Sequence, residues 1–271
     1  MLRRTQPGPG YVHPRAGRSR DHTYGLEVAN ESAPNYQRWV TQLCLPYIGD
    51  HVLEIGAGYG AVTRFLSEGV ADYVATDTSA ECLAALESRF RDSPNVTVRK
   101  LDLLADQPDG DFDSIILINV LEHMLDDSGV LRSLGSHLAA DGRLIVYVPA
   151  LNSLYGDWDD RIGHFRRYSK GQLERVMHAA GLAVVESRYV NLVAIPAWFA
   201  FSRLGIRKKQ GAREAGIGRE LQVWDRIAVP MTRWMETRLR PPIGLNVLGV
   251  ASKVSPDALR PNSPGHPPLR W

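Results

Sequence analysis

Short apolar runs alternate with longer amphipathic segments between residues 51 and 190. The runs HVLEIGAG, YVATD, VTVRKLD, FDSIILIN and RLIVYVPA have the length of buried strands, and apolar positions recur every three or four residues between them. Strands that are buried on both faces give continuous apolar runs of this kind. The pattern therefore predicts an α/β fold, a parallel sheet with helices on both faces. Two further strands, LAVVESRYV and NVLGVAS, are predicted later in the chain.

The chain divides into three parts by composition. Residues 1–28 and 255–271 are rich in proline and arginine and lack periodicity, which predicts a flexible N-terminal arm and a flexible C-terminal tail. Residues 29–254 are expected to form one domain. Within it, residues 192–242 carry several aromatic side chains and predict a helical insert before the last strand. This insert is either a lid over a pocket or a subunit interface in a homo-oligomer.

A first helix is expected near the start of the domain. Pro34 suits its opening turn, and Asn30 or Ser32 is the expected N-cap.

Composition and charge narrow the possible classes of protein. The 271 residues, 44% of them hydrophobic, are enough to bury one ordinary core. The net charge of +2 lacks the strong basic stripe of nucleic-acid-binding proteins, so no nucleic-acid partner is expected. No apolar stretch is long enough for a membrane span, and Cys44 and Cys82 have neither disulfide nor metal-site spacing. These features predict a cytoplasmic protein.

A glycine-rich turn, E-I-G-A-G-Y-G, follows the first predicted strand. Such turns bring backbone amides close to a bound cofactor. Gly56, Gly58 and Gly60 also fit the degenerate pattern of dinucleotide-binding enzymes, so the glycines alone do not identify the cofactor. Glu54 favours S-adenosylmethionine (SAM) over a dinucleotide as the cofactor. A carboxylate here repels a pyrophosphate but attracts the ammonium and sulfonium groups of SAM. Alternatively, Glu54 only accepts hydrogen bonds from local backbone amides.

Polar side chains also end the next three strands. Asp77 ends the second strand, where its carboxylate can accept hydrogen bonds from both hydroxyls of a ribose. Asp102 ends the third strand and is followed by Leu103, a combination that suits an adenine edge and an apolar wall, although Asp102 could also cap a turn. The fourth strand ends in N-V-L-E-H, from Asn119 to His123.

This series of motifs resembles, in order and spacing, that of class I SAM-dependent methyltransferases. The resemblance implies a Rossmann-like seven-stranded sheet whose last strand is antiparallel, with SAM as the cofactor. It implies that the glycine turn and Asn119 lie beside the methionine part of SAM. Asp77 would bind the ribose, and Asp102 and Leu103 would contact the adenine. The complete set of expected SAM-binding residues is Glu54, Gly56, Ala57, Gly58, Gly60, Asp77, Thr78, Asp102, Leu103 and Asn119.

Methyl transfer to a hydroxyl requires a group that removes a proton, whereas the sulfonium leaving group needs no acid. His123 and His164 are the candidate bases, and His123 could instead hydrogen-bond the local backbone. In some ubiquinone-type O-methyltransferases, which the N-V-L-E-H stretch resembles, an acidic cluster here assists with a divalent metal. Asn119 occupies the position where a carboxylate would strengthen such a site, so no metal is expected.

A polar and aromatic loop after the fifth strand is expected to bind the methyl acceptor. It ends in G-H-x-R-R-Y, which resembles a bacterial subgroup acting on glycan, lipid or secondary-metabolite substrates. Arginine recognises carboxylates and phosphates through two parallel hydrogen bonds. The predicted acceptor-binding residues are Tyr155, Arg166 and Arg167 in this loop and Trp198 in the insert. Alternatively, acidic residues of the loop such as Asp159 form ion pairs with the arginines and make the loop rigid.

The sequence thus predicts methyl transfer from SAM to a small-molecule acceptor. O-methylation is favoured because histidine bases are present and no N-P-P-Y-type motif of amino-group methyltransferases follows the fourth strand. N- or C-methylation is an alternative, as is a SAM-binding cyclase that transfers no methyl group. An NAD(P)-dependent oxidoreductase is a distant alternative, because Glu54 and the lack of a Tyr-x-x-x-Lys pair in the second half of the chain disfavour it.

Overall fold

The computed structural model describes residues 33–203 and 214–254, so the predicted arm and tail lie outside the described residues. Its strands form a seven-stranded sheet in the order β3-β2-β1-β4-β5-β7-β6. The strands are β1 (His51–Ile55), β2 (Asp72–Asp77), β3 (Val96–Lys100), β4 (Phe112–Ile118), β5 (Leu138–Pro149), β6 (Leu182–Val190) and β7 (Asn246–Lys253).

Strands β1 to β5 are parallel to one another, and β7 runs antiparallel to both of its neighbours. This arrangement confirms the expected Rossmann-like sheet with an antiparallel last strand. The strand order reverses between β1 and β4. Open α/β sheets bind their ligands at such a reversal, outside the carboxyl ends of the strands.

Helices cover both faces of the sheet. They are α1 (Pro34–Cys44), α2 (Thr63–Leu66), α3 (Ala80–Arg89), α4 (Asp127–Ser136), α5 (Asp157–Ile162), α6 (Lys170–Ala179), α7 (Ala194–Arg203) and α8 (Glu214–Glu236). Local sequence explains several of the helix starts. The Ser79 hydroxyl accepts from the amide of Cys82 at the start of α3, and Ser169 and Gln172 form a reciprocal capping box at the start of α6.

Two hydrophobic clusters fill the space between the sheet and its helices. Alternate residues of one strand belong to opposite clusters: Leu53 packs with α4 and α6, whereas Val52 packs with α1. The same alternation holds for Ile115 and Ile116 of β4, and all four side chains are almost fully buried. Burial on both faces explains why these strands appear as continuous apolar runs in the sequence.

The insert between β6 and β7 contains α7 and α8, and α8 packs against α1. The N-cap of α1 is Ala33, which offers no side-chain acceptor, so the expected cap from Asn30 or Ser32 is not the one found. Instead, the buried carboxylate of Asp225 in α8 accepts from the backbone amides of Asn35 (3.0 Å) and Tyr36 (2.7 Å). A carboxylate at this end also complements the helix dipole.

None of the described helices combines the length and the apolar composition needed to cross a bilayer.

Candidate active site

The glycine turn after β1 has a backbone that only glycine adopts readily. Gly56 and Gly58 have φ angles of +68° and +56°. A Cβ at Gly56 would lie 2.6 Å from a methyl group of Val120, which follows β4. Val120 therefore also excludes a side chain at position 56. A Cβ at Gly58 would meet nothing within 4 Å. Gly58 therefore borders open space, on the side from which a cofactor can approach the backbone.

Glu54 lies beneath this turn and is 3% exposed. One of its carboxylate oxygens accepts from the hydroxyls of Thr63 (2.6 Å) and Tyr73 (2.8 Å). Burial raises the pKa of Glu54 to about 6, against the opposing effect of these two hydrogen bonds. Glu54 thus links β1 to α2 and β2. Its hydrogen-bond donors are side-chain hydroxyls, not the local backbone amides of the alternative interpretation. The sequence analysis missed both donors.

Asp77 fixes the other side of the turn. Its carboxylate oxygens accept from the backbone amides of Gly58 and Ser79, each at 2.9 Å. The carboxylate is thereby held at the end of β2, and each oxygen keeps a second lone pair for a ligand hydroxyl. Thr78 follows as an exposed residue.

Asp102 and Leu103 follow the end of β3. The Asp102 carboxylate accepts from the amide of Leu104 at 3.0 Å, which is the turn-capping contact considered as an alternative role. Leu103 is half-buried against the core. These contacts fix the backbone of the loop after β3.

Asn119 has a positive φ of 54° directly after β4. Its amide donates to the carbonyl of Tyr147 in β5, and its side chain is exposed. Such a backbone angle is uncommon for a residue with a side chain, and it turns the chain sharply towards Glu122 and His123.

Two distant segments bring His123 and His164 together. The ring centroids are 4.7 Å apart and nearly perpendicular. The amide of Phe165 donates to the carbonyl of Glu122 at 2.8 Å, which docks the loop after β5 onto the end of β4. Asp159 lies 2.8 Å from Nδ1 of His164. Because an ionised carboxylate only accepts, Nδ1 of His164 carries a proton and donates it to Asp159.

Glu122 is a fully buried carboxylate whose two oxygens have no hydrogen-bond partner. One of these oxygens lies 3.6 Å from Nε2 of His164. Burial raises the pKa of Glu122 to about 7, although the neighbouring His164 acts to lower it. Burial also acts to raise the pKa of Asp159, but hydrogen bonds from His164 and Arg167 outweigh it and bring that pKa below its ordinary value.

Glu122, His123 and His164 are also a group that could hold a metal ion. Their ligand atoms all lie within 4.8 Å of one another. Two imidazoles and one carboxylate suit a transition metal. The expectation of no metal was based on Asn119 and did not consider that His164 joins this cluster, so it stays a prediction.

Arg166 and Arg167 are adjacent in the loop after β5 but form ion pairs with different residues. Arg167 is 2% exposed and donates to Asp159 and to the carbonyl of Ala150, with the Trp198 ring 4.6 Å from its guanidinium carbon. Arg166 forms an ion pair with Asp127 at 2.5 Å and remains partly exposed. For Arg167 this geometry favours the internal ion pair over acceptor recognition.

Tyr155 also takes part in holding the loop. Its hydroxyl lies 2.7 Å from a carboxylate oxygen of Asp160 and 2.7 Å from the carbonyl of His164. Tyr155 therefore positions the backbone that carries His164, whether or not it also contacts an acceptor.

Tyr36 connects α1 to the sheet near this site, a residue that the sequence analysis missed. Its hydroxyl lies 2.9 Å from that of Tyr147, and burial raises the pKa of Tyr36 to about 12. The Trp224 ring of α8 lies 5.5 Å from the Tyr36 ring. The insert is thus coupled to β5 through α1.

Comparisons with known proteins agree with this geometry. A family model described as a methyltransferase domain matches residues 30–187. The demethylmenaquinone methyltransferase of Tropheryma whipplei is 32% identical over 98 residues, which are 36% of this chain and 41% of the relative. The ubiquinone biosynthesis O-methyltransferase of Albidiferax ferrireducens is 29% identical over 99 residues, 35% of this chain and 39% of the relative. The chain therefore spans about two fifths of the length of these curated relatives.

Solved structures extend the likeness beyond the matched segment. The complex of the Haloferax volcanii Trm112 methyltransferase activator with the putative methyltransferase has a chain that aligns with a TM-score of 0.59 at 17% identity, covering 90% of this chain and 96% of that one. At this identity the likeness shows the fold. Because the family model spans more than half of the sequence, the chain belongs to the class I SAM-dependent methyltransferase family, and its cofactor is S-adenosylmethionine.

Proposed function

We propose that this protein transfers the methyl group of SAM to a hydroxyl group of a small molecule. The observation that carries the proposal is the meeting of His123 and His164 after the carboxyl end of β4, where Val120 borders Gly56 of the glycine turn. His123 and His164 are far apart in the sequence, and the fold brings them together. The likeness to a ubiquinone biosynthesis O-methyltransferase adds support for oxygen as the methylated atom.

The cofactor would lie across the ends of β1, β2 and β4. The glycine turn and Asn119 would line the methionine part of SAM, with the Glu54 carboxylate beneath it. Asp77 and Thr78 would lie at the ribose, because the Asp77 carboxylate is already fixed by two amides and keeps free lone pairs. Asp102 and Leu103 would border the adenine.

In the reaction, the acceptor hydroxyl loses its proton to a histidine, and its oxygen forms a bond to the methyl carbon. The S–CH₃ bond breaks, the electron pair stays on sulfur, and S-adenosylhomocysteine leaves. His123 is half-buried and closer to solvent, whereas His164 is 6% exposed and oriented by Asp159. His123 is therefore the better candidate for direct contact with the acceptor, and His164 supports it.

The acceptor would bind between the loop after β5 and helix α7. Arg166 retains an exposed edge that an anionic group of the acceptor can reach, while Tyr155 and Trp198 would form the aromatic border. Arg167 would position the Trp198 ring, on which its guanidinium stacks, rather than contact the acceptor itself.

Turnover with isotopically labelled SAM tests the proposal. The purified chain is incubated with phenols, quinols and aliphatic alcohols, and with amines and carbon acids as competing acceptor classes. Mass spectrometry then measures the labelled product and S-adenosylhomocysteine, which methyl transfer forms in equal amounts. We expect labelled methyl ethers from hydroxyl acceptors. SAM binding without S-adenosylhomocysteine formation on any acceptor would contradict methyl transfer, and labelled amines alone would contradict O-methylation.

Histidine variants test the mechanism on whichever acceptor turns over. His123→Gln should lower kcat by roughly 10²–10⁴-fold, the usual contribution of a positioned base, with SAM affinity retained. His178→Gln is the matched control, because His178 is exposed on α6. An unchanged kcat in the folded His123 variant would contradict its role as the base. Loss of activity on treatment with a chelator, restored by Zn²⁺ or Mn²⁺, would instead contradict the metal-free expectation.

A further inference from the structure

The outer face of α8 carries a stripe of exposed apolar side chains. This α8 stripe comprises Val223, Ile227, Met231 and Trp234, which are 55%, 67%, 51% and 62% exposed. Their spacing of four, four and three residues places them along one side of a helix. Side chains on the opposite side, such as Val229 and Thr232, are buried against the domain. The α8 stripe is therefore a second apolar face that the described fold leaves uncovered.

Within residues 222–243, the exposed charged side chains all have the same sign, and the last of them, Arg240, also pairs with Glu186 of β6 at 3.6 Å. Four exposed arginines flank or follow it: Arg226, Arg233, Arg238 and Arg240. Both carboxylates of residues 222–243, Asp225 and Glu236, are buried. The guanidinium of Arg238 lies 4.6 Å from the centre of the Trp234 ring, so a cation borders the aromatic end of the stripe. An occupant of this face must accept apolar side chains and supply negative charge.

A membrane surface that contains anionic lipid has these two properties. Helices that lie in the interface present bulky apolar residues and tryptophan on one side, with arginines at their border. Each arginine near such a surface gains from the negative potential of the headgroups. The stripe extends over twelve residues, about 18 Å of helix, which is enough for a helix that lies on a membrane rather than spanning it. We propose that the α8 stripe docks this protein onto the surface of bilayers that contain anionic phospholipid.

A second copy of the chain fits this face less well. Two-fold symmetric contacts place the same patch on both sides of the interface. The α8 stripe would then bring arginines against arginines, with no exposed carboxylate of residues 222–243 to separate them. Like charges at an interface cost free energy, whereas phosphate headgroups neutralise them.

Vesicle co-sedimentation of the full chain tests the proposal. One set of vesicles contains phosphatidylcholine alone, and the other contains phosphatidylcholine and phosphatidylglycerol in equal parts. We expect binding to the mixed vesicles that weakens as salt is added, and little binding to phosphatidylcholine. Equal binding to both sets, or none to either, would overturn the proposal.

Surface variants locate the contact. Arg226→Gln/Arg233→Gln should weaken binding to the mixed vesicles by at least about tenfold. The matched control is Arg91→Gln/Arg175→Gln, which removes two exposed arginines elsewhere and should change binding much less. Ile227→Ser should weaken binding without a change of charge, with Leu104→Ser as control for an exposed leucine.

The same variants separate the competing occupant. Sedimentation velocity over a range of protein concentrations reports self-association. A dimer in the wild type that Ile227→Ser dissociates would overturn membrane docking, because a second copy would then cover the stripe. Equal loss of vesicle binding in the control and α8 arginine variants would also overturn it, because attraction would then be spread over the whole molecule. Neither measurement depends on methyl transfer.

Discussion

At the scale of single residues, the role proposed for Glu54 at SAM opposes the effect of this carboxylate on stability. Its carboxylate is expected to attract the positive charge of SAM, yet burial raises its pKa to about 6. A carboxyl group whose pKa is raised on folding costs stability above that pH. The cost disappears as the pH falls through about 6 towards the ordinary value of 4.5.

Glu54→Gln separates the role at SAM from the effect on stability. The amide oxygen can still accept from Thr63 and Tyr73. Well above pH 6, we expect the SAM-free variant to be more stable than the wild type by up to about 2 kcal/mol, a difference that vanishes near pH 4.5. SAM affinity should fall by about 1.5–3 kcal/mol. Urea unfolding and calorimetric titration measure the two effects. Undiminished SAM affinity would show that Glu54 only braces the sheet.

Asp77 gives a second prediction at this scale. Asp77→Ala should weaken SAM binding by about 1.5–3 kcal/mol, because charge-assisted hydrogen bonds to the ribose are lost. The Gly58 and Ser79 amides also lose their acceptor, which would loosen the turn. Asp77→Asn is the necessary companion, since it removes the charge but keeps one acceptor oxygen, so that only one of the two amides loses its acceptor. Calorimetry in which Asp77→Ala, still folded, binds SAM as tightly as the wild type would refute the ribose assignment.

The sequence predicts individual site residues only where they follow strands. The sequence places Asp77 and Asn119 correctly at the ends of strands, because strand ends are visible in the apolar pattern, while their roles at the cofactor stay predictions. The donors to Glu54 are not found, because Thr63 and Tyr73 come from two other elements and belong to no motif. Nor can composition decide which of two adjacent arginines is buried with Asp159, since that depends on how the loop packs.

At the scale of the element, α1 shows how a helix start can depend on distant sequence. Its Pro34 and its apolar face are visible locally, and the helix forms as expected. The carboxylate that accepts from the amides at its N-terminus belongs to Asp225, which is 190 residues from Asn35 in the sequence. Local capping rules search only neighbouring residues, so they could not have identified it.

Removing this carboxylate should therefore destabilise α1 and its contact with α8. We expect Asp225→Ala to lower the free energy of unfolding by about 1–2 kcal/mol, because two partly buried amides lose their acceptor. Asp92→Ala, at an exposed carboxylate, serves as control and should change stability by less than about 0.5 kcal/mol. If urea unfolding gave equal midpoints for both variants, water would have to satisfy these amides equally well.

At the scale of the whole molecule, the order of strands and helices in the sequence was enough to predict the sheet. Parallel strands joined by helices have few possible arrangements, and the resemblance supplied the antiparallel last strand. The sequence predicts the helical insert before the last strand, but not how the insert packs on the rest of the domain. Its contacts are single side chains, such as Trp198 on Arg167, that reach residues far away in sequence.

The insert gives the last prediction, which separates a lid from an interface. Trp198 lies against the Arg167 guanidinium, which in turn binds the Asp159 that orients His164. If α7 is a lid, Trp198→Ala should raise the KM of the acceptor and leave the Kd of SAM unchanged, because only the acceptor side of the site loosens. Phe199→Ala is the matched control, since Phe199 is the next residue of α7 and 48% exposed. Steady-state kinetics and sedimentation velocity are measured on both variants. A dimer that dissociates in the Trp198 variant, with kinetics unchanged per folded chain, would assign α7 to a subunit interface instead.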